Sequence, residues 1–301
     1  MAQQQFAVAI PELARRRRRT WYWQLWNFMH TRPLGGTGLV LVVGAAIVAV
    51  LAPVIAPYDP YALSARDQLL APNLQHWFGT DILGRDVLSR TIFGTWVSVV
   101  RVGLPAMLIA TAVGTFLGIS SAYYGRWYDL ILQRFVDVLS AFPSLVLAIA
   151  IMAALGQSLN NVVIAITVVL VYRIIRTVRS QALSVKASMY VDAARAIGVG
   201  DFRIMLRHIL PNTFAAFVVV STASLGSVIV IEASLSFLGV GTPTNVISWG
   251  SMLSIDTAAY FASSPWLGIF PGLALTIVVF GINVLGDSLR DALDPRMRGS
   301  R

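Results

Sequence analysis

The chain has 301 residues, of which 56% are hydrophobic and 12% are charged, and its formal net charge is +9. The charged fraction is about half that of an average soluble domain, which argues against an ordinary soluble protein and for one that lies in lipid. There is no cysteine, so disulfides and thiolate metal sites are excluded.

The amino terminus combines a basic run with an aromatic stretch. Residues 15–19 are all arginine, and they are followed by aromatic residues rather than by a short apolar core with a small-residue cleavage site. This pattern does not fit a signal peptide, so we expect the first apolar run to stay in the mature chain. The aromatic side chains that favour the headgroup layer and predict an interfacial anchor are Trp21, Tyr22, Trp23, Trp26 and Phe28.

Long uncharged runs follow, and a helix of about 20 apolar residues crosses the roughly 30 Å hydrocarbon core of a bilayer. The run 138–172 is too long for one span and contains a turn-like stretch at 156–161, so we divide it into two helices. The others predict helices near 36–56, 102–125, 209–231 (after Pro211) and from about Trp266 to 286. The sequence therefore predicts six transmembrane helices. Glycines 35, 36 and 38 favour close helix packing.

Basic residues predict the orientation, because Lys and Arg are enriched in cytoplasmic flanks. With the amino terminus in the cytoplasm, all but four of the 23 Lys and Arg residues fall inside, and an even number of spans returns the carboxyl terminus to the cytoplasm. The four on or near the external side are Arg66, Arg85, Arg90 and Arg101.

The internal segment 179–210 carries the most informative motif. A short helix there would bring Ala193, Ala194 and Ile197 to one face, a small-residue surface that another protein can approach closely. Gly198 is expected to end that helix. Composition alone leaves an alternative, a basic connector lying on anionic lipid.

This segment resembles the cytoplasmic signature loop of permeases of ATP-binding cassette (ABC) importers, which has Glu-Ala-Ala, a later Gly and then Leu-Pro. The matching residues are Asp192, Ala193, Ala194, Gly198, Leu210 and Pro211. Asp192 replaces the usual Glu and keeps its carboxylate, and His208 stands where an aliphatic residue is often found. The resemblance implies that residues 190–202 couple the spans to an ATPase, through Tyr190, Asp192, Ala193, Ala194, Arg195, Ile197, Gly198 and Phe202. For Asp192, a contact with the partner and a cap of its own helix both stay open.

Further stretches narrow the branch of the family. Residues 78–90, 232–239, 249–253 and 286–296 resemble the C-type subunit of dipeptide and oligopeptide permeases, in the peptide/nickel branch. The resemblance implies a second, homologous permease subunit, two ATPase subunits that use ATP and Mg, and an external substrate-binding protein. It implies import of di- or oligopeptides, with a nickel chelate or another small solute as the alternative.

External charged residues form a second group of candidates. Asp81 with Arg85, and Asp86 with Arg90, have the four-residue spacing of ion pairs on a helix surface. A solvated helix face explains them most simply; bracing the external mouth rests on the resemblance. Glu232 lies near the outer end of an apolar span, where it either reaches water or marks a gate or solute path. The external gate candidates are Glu232, Ser236, Phe237, Trp249, Asp81 and Arg85.

Chemistry of its own is not expected of this chain. There is no phosphate-binding loop, and the sole lysine, Lys186, lies in the wrong setting for one. His30, His76 and His208 are far apart, so we predict no catalytic cluster, metal or bound cofactor. A secondary transporter would place ionisable groups near mid-membrane and often contain inverted repeats, and neither is evident. A membrane enzyme would need a converging acid, base or nucleophile set.

The fold class expected is all-α: a polytopic protein of a bacterial inner membrane with the type I ABC importer permease fold. Residues 1–33 form a basic and aromatic cytoplasmic segment, and residues 34–96 hold the first span and an external segment. Residues 97–288 form the core permease domain with its internal loop at 179–210, and residues 289–301 form a cytoplasmic tail.

Overall fold

The structure is a computed structural model that describes residues 29–254, 257 and 259–293. The predicted interfacial anchor before residue 29 and the tail after residue 293 lie outside the described residues. Within these limits the chain is built from helices, with one isolated β-bridge between Thr80 and Asp86. In chain order the α-helices are α1 Pro33–Ile55, α2 Val87–Thr95, α3 Leu104–Tyr124, α4 Arg126–Ser140, α5 Ser144–Leu155, α6 Leu159–Lys186, α7 Met189–Ala196, α8 Asp201–Ile204, α9 Leu210–Phe237, α10 Trp249–Met252 and α11 Trp266–Leu293.

Five helices among the described residues are long and apolar enough to cross a membrane. They are α1, the continuous helix Val87–Tyr124, α6, the Phe217–Phe237 part of α9, and Trp266–Ala292 of α11. The predictions for the first, fourth, fifth and last spans are confirmed as helices, and α11 begins at the predicted Trp266.

The predicted third span is not one long helix but falls on a bent pair of shorter helices, α4 and α5. Helix α5 has only 12 residues, and it meets α4 at an angle of 93°. Pro143, between the two helices, lacks an N–H and disfavours helical geometry in the residue before it. The six predicted spans are reached only if this bent pair counts as one.

The second span begins earlier than expected. A π-helical segment, Trp96–Gly103, joins α2 to α3 without a break, so the helix runs for 38 residues from Val87. The span was predicted to begin at residue 102 because the uncharged run in the sequence begins directly after Arg101. Arg90, inside the helix, is buried and paired with Asp81.

Helix α3 packs on α6 at a stripe of small residues. A Cβ atom on Gly114 would lie 2.7 Å from a methyl carbon of Ile174, and one on Gly118 would lie 2.9 Å from the carbonyl oxygen of Ile175. Backbones approach this closely only where a side chain is missing, which is a common device in membrane helix packing.

Helix α1 approaches α11 in the same way. A Cβ atom on Gly38 would lie 2.7 Å from the carbonyl oxygen of Gly281. The predicted close packing at this glycine is confirmed.

Candidate functional site

The loop after α6 folds as the short helix that the motif predicted. Helix α7 begins at Met189 and ends at Ala196. Gly198 then takes a φ of +80°, a left-handed conformation that favours glycine, and Val199 donates its N–H to the carbonyl oxygen of Ala194 at 3.0 Å. The predicted end of the helix at Gly198 is confirmed.

The three residues predicted to share one exposed face of α7 lie on two different sides of the helix. Ala194 is buried together with Val191, in the same apolar cluster as α3 and α6, so it cannot be approached by another protein. Ala193 and Ile197 point outward, and Ile197 is 80% exposed. Helical spacing puts Val191 and Ala194 on the packed side and Ala193 and Ile197 on the opposite one. The prediction of one shared face is wrong for Ala194.

Exposed apolar side chains gather around this loop. Tyr190 and Phe202, both singled out from the sequence, are exposed, as are Met189 and Ile197. Soluble loops seldom expose large apolar side chains as a group, so such a patch marks a contact with lipid or protein.

Asp192 does not cap its helix. The N-cap residue is Ser188, and Asp192 lies in the first turn with its side chain 69% exposed. Its carboxylate is 3.5 Å from the guanidinium of Arg195. Of the two alternatives, the cap is wrong, and the contact with a partner stays a prediction.

The loop is attached at its first end by Lys186. The ammonium nitrogen of this last residue of α6 donates hydrogen bonds to the carbonyl oxygens of Ala122 and Tyr123, at 2.9 and 2.7 Å. These oxygens belong to the last turn of α3, where a cation also interacts favourably with the helix dipole.

The loop is attached at its second end by Asp201. The Tyr123 hydroxyl donates to a carboxylate oxygen of Asp201 at 2.6 Å. The guanidinium carbon of Arg195 lies 5.0 Å from the centre of the Tyr123 ring, within range of a cation–π contact. Tyr123 therefore touches both α7 and the start of α8.

An ion pair braces the same end of the bundle. Arg179 of α6 binds Asp129 of α4 with two hydrogen bonds, of 2.6 and 2.5 Å, a bidentate geometry. Asp129 also accepts a short hydrogen bond from Ser121 of α3. Helices α3, α4 and α6 are thus tied together next to the loop.

At the opposite end of the bundle, the segment between α1 and α2 folds around Asp81. This carboxylate accepts backbone N–H bonds from Leu83 and Arg85, at 2.9 and 3.0 Å, and lies 2.7 Å from Nε of Arg85. The predicted pair Asp81–Arg85 is confirmed, but it lies in a turn rather than on a helix.

The predicted pair of Asp86 with Arg90 is wrong. Asp86 is the N-cap of α2, accepting from the N–H of Ser89 at 2.7 Å, and it also lies 3.0 Å from Nδ1 of His76. Arg90 turns instead to Asp81, with Nε and Oδ2 at 3.5 Å. Both Asp86 and Arg90 are buried, so the solvated helix face is wrong as well.

Glu232 is fully buried and does not reach water. Its carboxylate accepts a hydrogen bond from Ser236 at 3.0 Å, and Ser236 in turn accepts from the backbone and hydroxyl of Thr242. The second carboxylate oxygen has no hydrogen-bond partner among the described residues. Helix α9 is thereby joined to the turn that leads to α10, and Phe237 ends α9 partly exposed.

Trp249 joins α10 to α2. Its indole N–H donates to the carbonyl oxygen of Thr91 at 3.0 Å, and its backbone N–H donates to Ser98 at 3.3 Å. The ring is buried and packs on Gly94, which leaves room for it.

A cavity of about 240 Å³, with both polar and apolar lining residues, opens beside these residues. Three of the six external candidates, Asp81, Arg85 and Ser236, line it, and a fourth, Glu232, bonds to Ser236. Trp249 packs behind this region, and Phe237 does not line the cavity. Its polar lining residues in the described part are Asp81, Arg85, Arg90, Ser236, Thr242, Thr244, Ser251, Ser254 and Thr257, and its apolar lining includes Ile82, Val87, Met252 and Leu267.

The sequence did not predict the contacts that Tyr123 and Lys186 make with the loop. The signal for Lys186 was its being the sole lysine among 23 basic residues. No local pattern points to Tyr123, because Asp201 follows it by 78 positions. Among the described residues, no group of three His, Cys, Asp or Glu side chains is arranged to hold a metal ion.

The chain matches the family described as "Binding-protein-dependent transport system inner membrane component" over residues 114–299. It is 41% identical over 261 residues to the dipeptide transport system permease protein DppC of Alkalihalophilus pseudofirmus, covering 87% of this chain and 85% of that protein. It is 44% identical over 261 residues to a putative peptide transport system permease protein of Brucella suis, covering 87% of each chain.

Two further similarities concern another relative and the fold. The chain is 40% identical over 282 residues to the glutathione transport system permease protein GsiD of Escherichia coli, covering 93% of this chain and 92% of that one. A chain of the MetNI methionine ABC transporter, solved in inward-facing conformations, matches with a TM-score of 0.51 and 18% identity, covering 68% of this chain and 96% of that chain. At this identity the similarity concerns the fold alone.

Proposed function

The chain belongs to the family of inner-membrane components of binding-protein-dependent transport systems, and from this membership we propose that it forms half of the translocation pathway of an ATP-driven peptide importer. It is a multi-pass transport subunit of the ABC importer permease type. The partners proposed are a second, homologous permease subunit, two ATPase subunits and an external substrate-binding protein.

The observation that carries the proposal is the loop 187–202. It exposes Tyr190, Ile197 and Phe202 while Val191 and Ala194 fix it to the core of the spans. A surface patch that is rigidly joined to the spanning helices is what an external motor requires, since its displacement moves the helices as bodies. Residues 190–202 are the proposed ATPase contact, and Asp192, exposed on the same helix, is the proposed polar contact within it.

The energy for import is proposed to come from ATP hydrolysis by the partner ATPase subunits. Import against a gradient needs an energy source, and the sequence contains no Gly-rich phosphate loop with its lysine. Lys186, the sole lysine, donates its hydrogen bonds to two carbonyl oxygens at the end of α3. ATP and Mg are therefore proposed to bind the ATPase subunits, and this chain is proposed to hold no cofactor.

The proposed orientation puts the loop in the cytoplasm of a bacterial cell, together with both termini. The basic residues near the loop, which include Arg195, Arg203 and Arg207, follow the positive-inside rule. The segment around Asp81 and the cavity beside Ser236 then face the external binding protein. We propose Asp81, Arg85 and Ser236 as parts of the external mouth, with Glu232 and Trp249 bracing it from behind and Phe237 at its edge.

Peptides are the proposed solute because three relatives are named as permeases for dipeptides, peptides and glutathione. The lining of the cavity at the proposed external mouth includes hydroxyl, guanidinium and carboxylate groups beside apolar side chains, and the polar groups can hydrogen-bond a polar solute in transit.

The test is co-expression of this chain with its neighbouring permease, ATPases and binding protein, followed by ATPase measurements in proteoliposomes. We expect di- or oligopeptides to stimulate hydrolysis, and Gly198→Arg to abolish the stimulation while the complex still assembles. Arginine at this position is strained by the left-handed φ of +80° and adds bulk to the loop. Stimulation by nickel chelates alone would replace the peptide assignment, and failure to assemble with any ATPase would refute the proposal.

A further inference from the structure

The loop 187–202, which contains the coupling segment 190–202, is held at both ends, and both attachments meet at the last turn of α3. Before the segment, Lys186 binds the carbonyl oxygens of Ala122 and Tyr123. Near its end, Asp201 accepts the hydroxyl hydrogen bond of the same Tyr123 at 2.6 Å. Between these points, Arg195 of α7 lies over the Tyr123 ring. Tyr123 of α3 therefore contacts the residue that leads into the loop, a residue in its middle and a residue near its end.

These contacts are chemically strong ones. A hydroxyl that donates to a carboxylate forms a charge-assisted hydrogen bond, which is shorter and roughly twice as strong as a neutral one. The Lys186 ammonium donates hydrogen bonds to two carbonyl oxygens at the end of α3, which have no partner within the helix. Tyr123 is 6% exposed, whereas Asp201 and Arg195 are exposed and Lys186 is half-buried, so these contacts lie at the edge of the core.

The attachment continues into the membrane-spanning part. Helix α3 lies against α6 so closely at Gly114 and Gly118 that no Cβ atom fits at either position. Arg179 of α6 and Ser121 of α3 also share the carboxylate of Asp129. A displacement applied to the end of α3 is therefore shared by α6.

Resting on the proposed coupling role of the loop, we infer that Tyr123 is the positioning residue that transmits displacement of the coupling segment to the α3–α6 pair. Burial of Val191 and Ala194 keeps the segment folded on the core. The Tyr123–Asp201 bond then fixes where the far end of the segment sits relative to α3. Loss of that one bond leaves the packing of Val191 and Ala194 in place and lets the Asp201 end of the segment move relative to α3.

Tyr124 provides a matched control. It is the next residue, it carries the same hydroxyl, and it is 50% exposed. Its ring meets Tyr123 and Tyr128 edge-on, but its hydroxyl forms no hydrogen bond with the described residues. Tyr123→Phe and Tyr124→Phe therefore remove the same atom from neighbouring positions with different consequences.

The experiment measures peptide imported per ATP hydrolysed by the complete complex in proteoliposomes. Tyr123→Phe is expected to lower this ratio about tenfold, within the usual range of coupling between sites, with assembly and basal hydrolysis unchanged. Tyr124→Phe is expected to match the parent. Asp201→Ala is expected to behave as Tyr123→Phe does, and Asp201→Asn, which retains an oxygen acceptor, to recover most of the ratio. The double variant Tyr123→Phe with Asp201→Ala is expected to lose no more than either single one.

A parent-like ratio for Tyr123→Phe would overturn the inference, and so would an equal loss in Tyr124→Phe. If Tyr123→Phe fails to assemble, the comparison of Asp201→Ala with Asp201→Asn decides, because equal behaviour of the two would also overturn it. Gly198→Arg in the same assay separates this inference from the proposed function. If Gly198→Arg uncouples the complex and Tyr123→Phe does not, only the role of Tyr123 fails. If no complex forms with an ATPase, the proposed function itself fails.

Discussion

The ammonium nitrogen of Lys186 lies 2.7 Å from the carbonyl oxygen of Tyr123, so the end of α6 is fastened to the end of α3. A second bond, to the carbonyl oxygen of Ala122, makes Lys186 a cap of α3 supplied by another helix. This cap is independent of the Tyr123 hydroxyl, and it makes a separate prediction.

Lys186→Met is expected to lower the free energy of unfolding by about 1–2 kcal/mol, because two carbonyl oxygens lose a charged donor while the apolar stem is kept. Lys186→Arg, which also donates, is expected to lose less. The melting temperatures of the two variants and the parent are measured on detergent-purified protein, with unfolding followed by size-exclusion chromatography. Equal melting temperatures for Lys186→Met and the parent would contradict the role of the cap.

The Asp129–Arg179 ion pair is expected to contribute to stability because it is bidentate and partly buried, with side-chain exposures of 19% and 29%. Asp129→Asn is expected to lower the free energy of unfolding by about 1–3 kcal/mol. A double-mutant cycle with Arg179→Gln measures the interaction itself. Arg134→Gln is the control: it removes only the exposed Arg134–Asp137 contact and leaves Asp137 paired with Arg176, so no measurable effect is expected. Additive effects of Asp129→Asn and Arg179→Gln would contradict the predicted coupling.

Gly118→Ala is expected to destabilise the α3–α6 contact, because the new Cβ would lie 2.9 Å from the carbonyl oxygen of Ile175 and 3.1 Å from the nitrogen of Arg179. Overpacking of this kind costs typically about 1–3 kcal/mol. Gly44→Ala in α1 is the control, since nothing lies within 4 Å of its added Cβ. Melting temperatures that fall equally for the two variants would show that the close approach is not the cause.

Glu232→Gln is expected to keep both stability and import, because the amide retains the shape of the side chain and an oxygen that accepts from Ser236. Glu232→Ala is expected to cost about 2–4 kcal/mol of stability, since it opens a cavity and leaves hydroxyl groups unpaired. Thermal unfolding and peptide uptake are measured on the same preparations. Loss of uptake in Glu232→Gln with a parent-like melting temperature would mean that the negative charge itself serves transport, and bracing would be refuted.

Local features were predictable from the sequence because they depend on neighbours in the chain. The end of α7 at Gly198, the start of α9 beside Pro211 and the start of α11 at Trp266 follow from helix-terminating residues and apolar runs. The four-residue spacing of Asp81 and Arg85 also identified a true pair.

Side-chain partners and burial that depend on tertiary packing were not predictable from local sequence. Asp86 had the same spacing to Arg90, but it caps α2 instead, because a carboxylate at that position also satisfies backbone N–H groups. Ala194 matched the motif as well as Ala193 did, and only the packing of α7 on the core decides that one is buried and the other exposed.

Covalent cross-linking from the loop to an ATPase subunit tests the central proposal most directly. The chain has no cysteine, so Ile197→Cys introduces a single thiol at a position that is 80% exposed. Leu74→Cys, at a position that is 95% exposed at the other end of the bundle, is the control. With a short bifunctional thiol reagent and cysteines scanned over the ATPase surface of the assembled complex, we predict a cross-link from Ile197→Cys that changes in yield when ATP binds, and none from Leu74→Cys. No cross-link from Ile197→Cys to any ATPase position, or one from Leu74→Cys instead, would contradict the account of residues 190–202 as the coupling element.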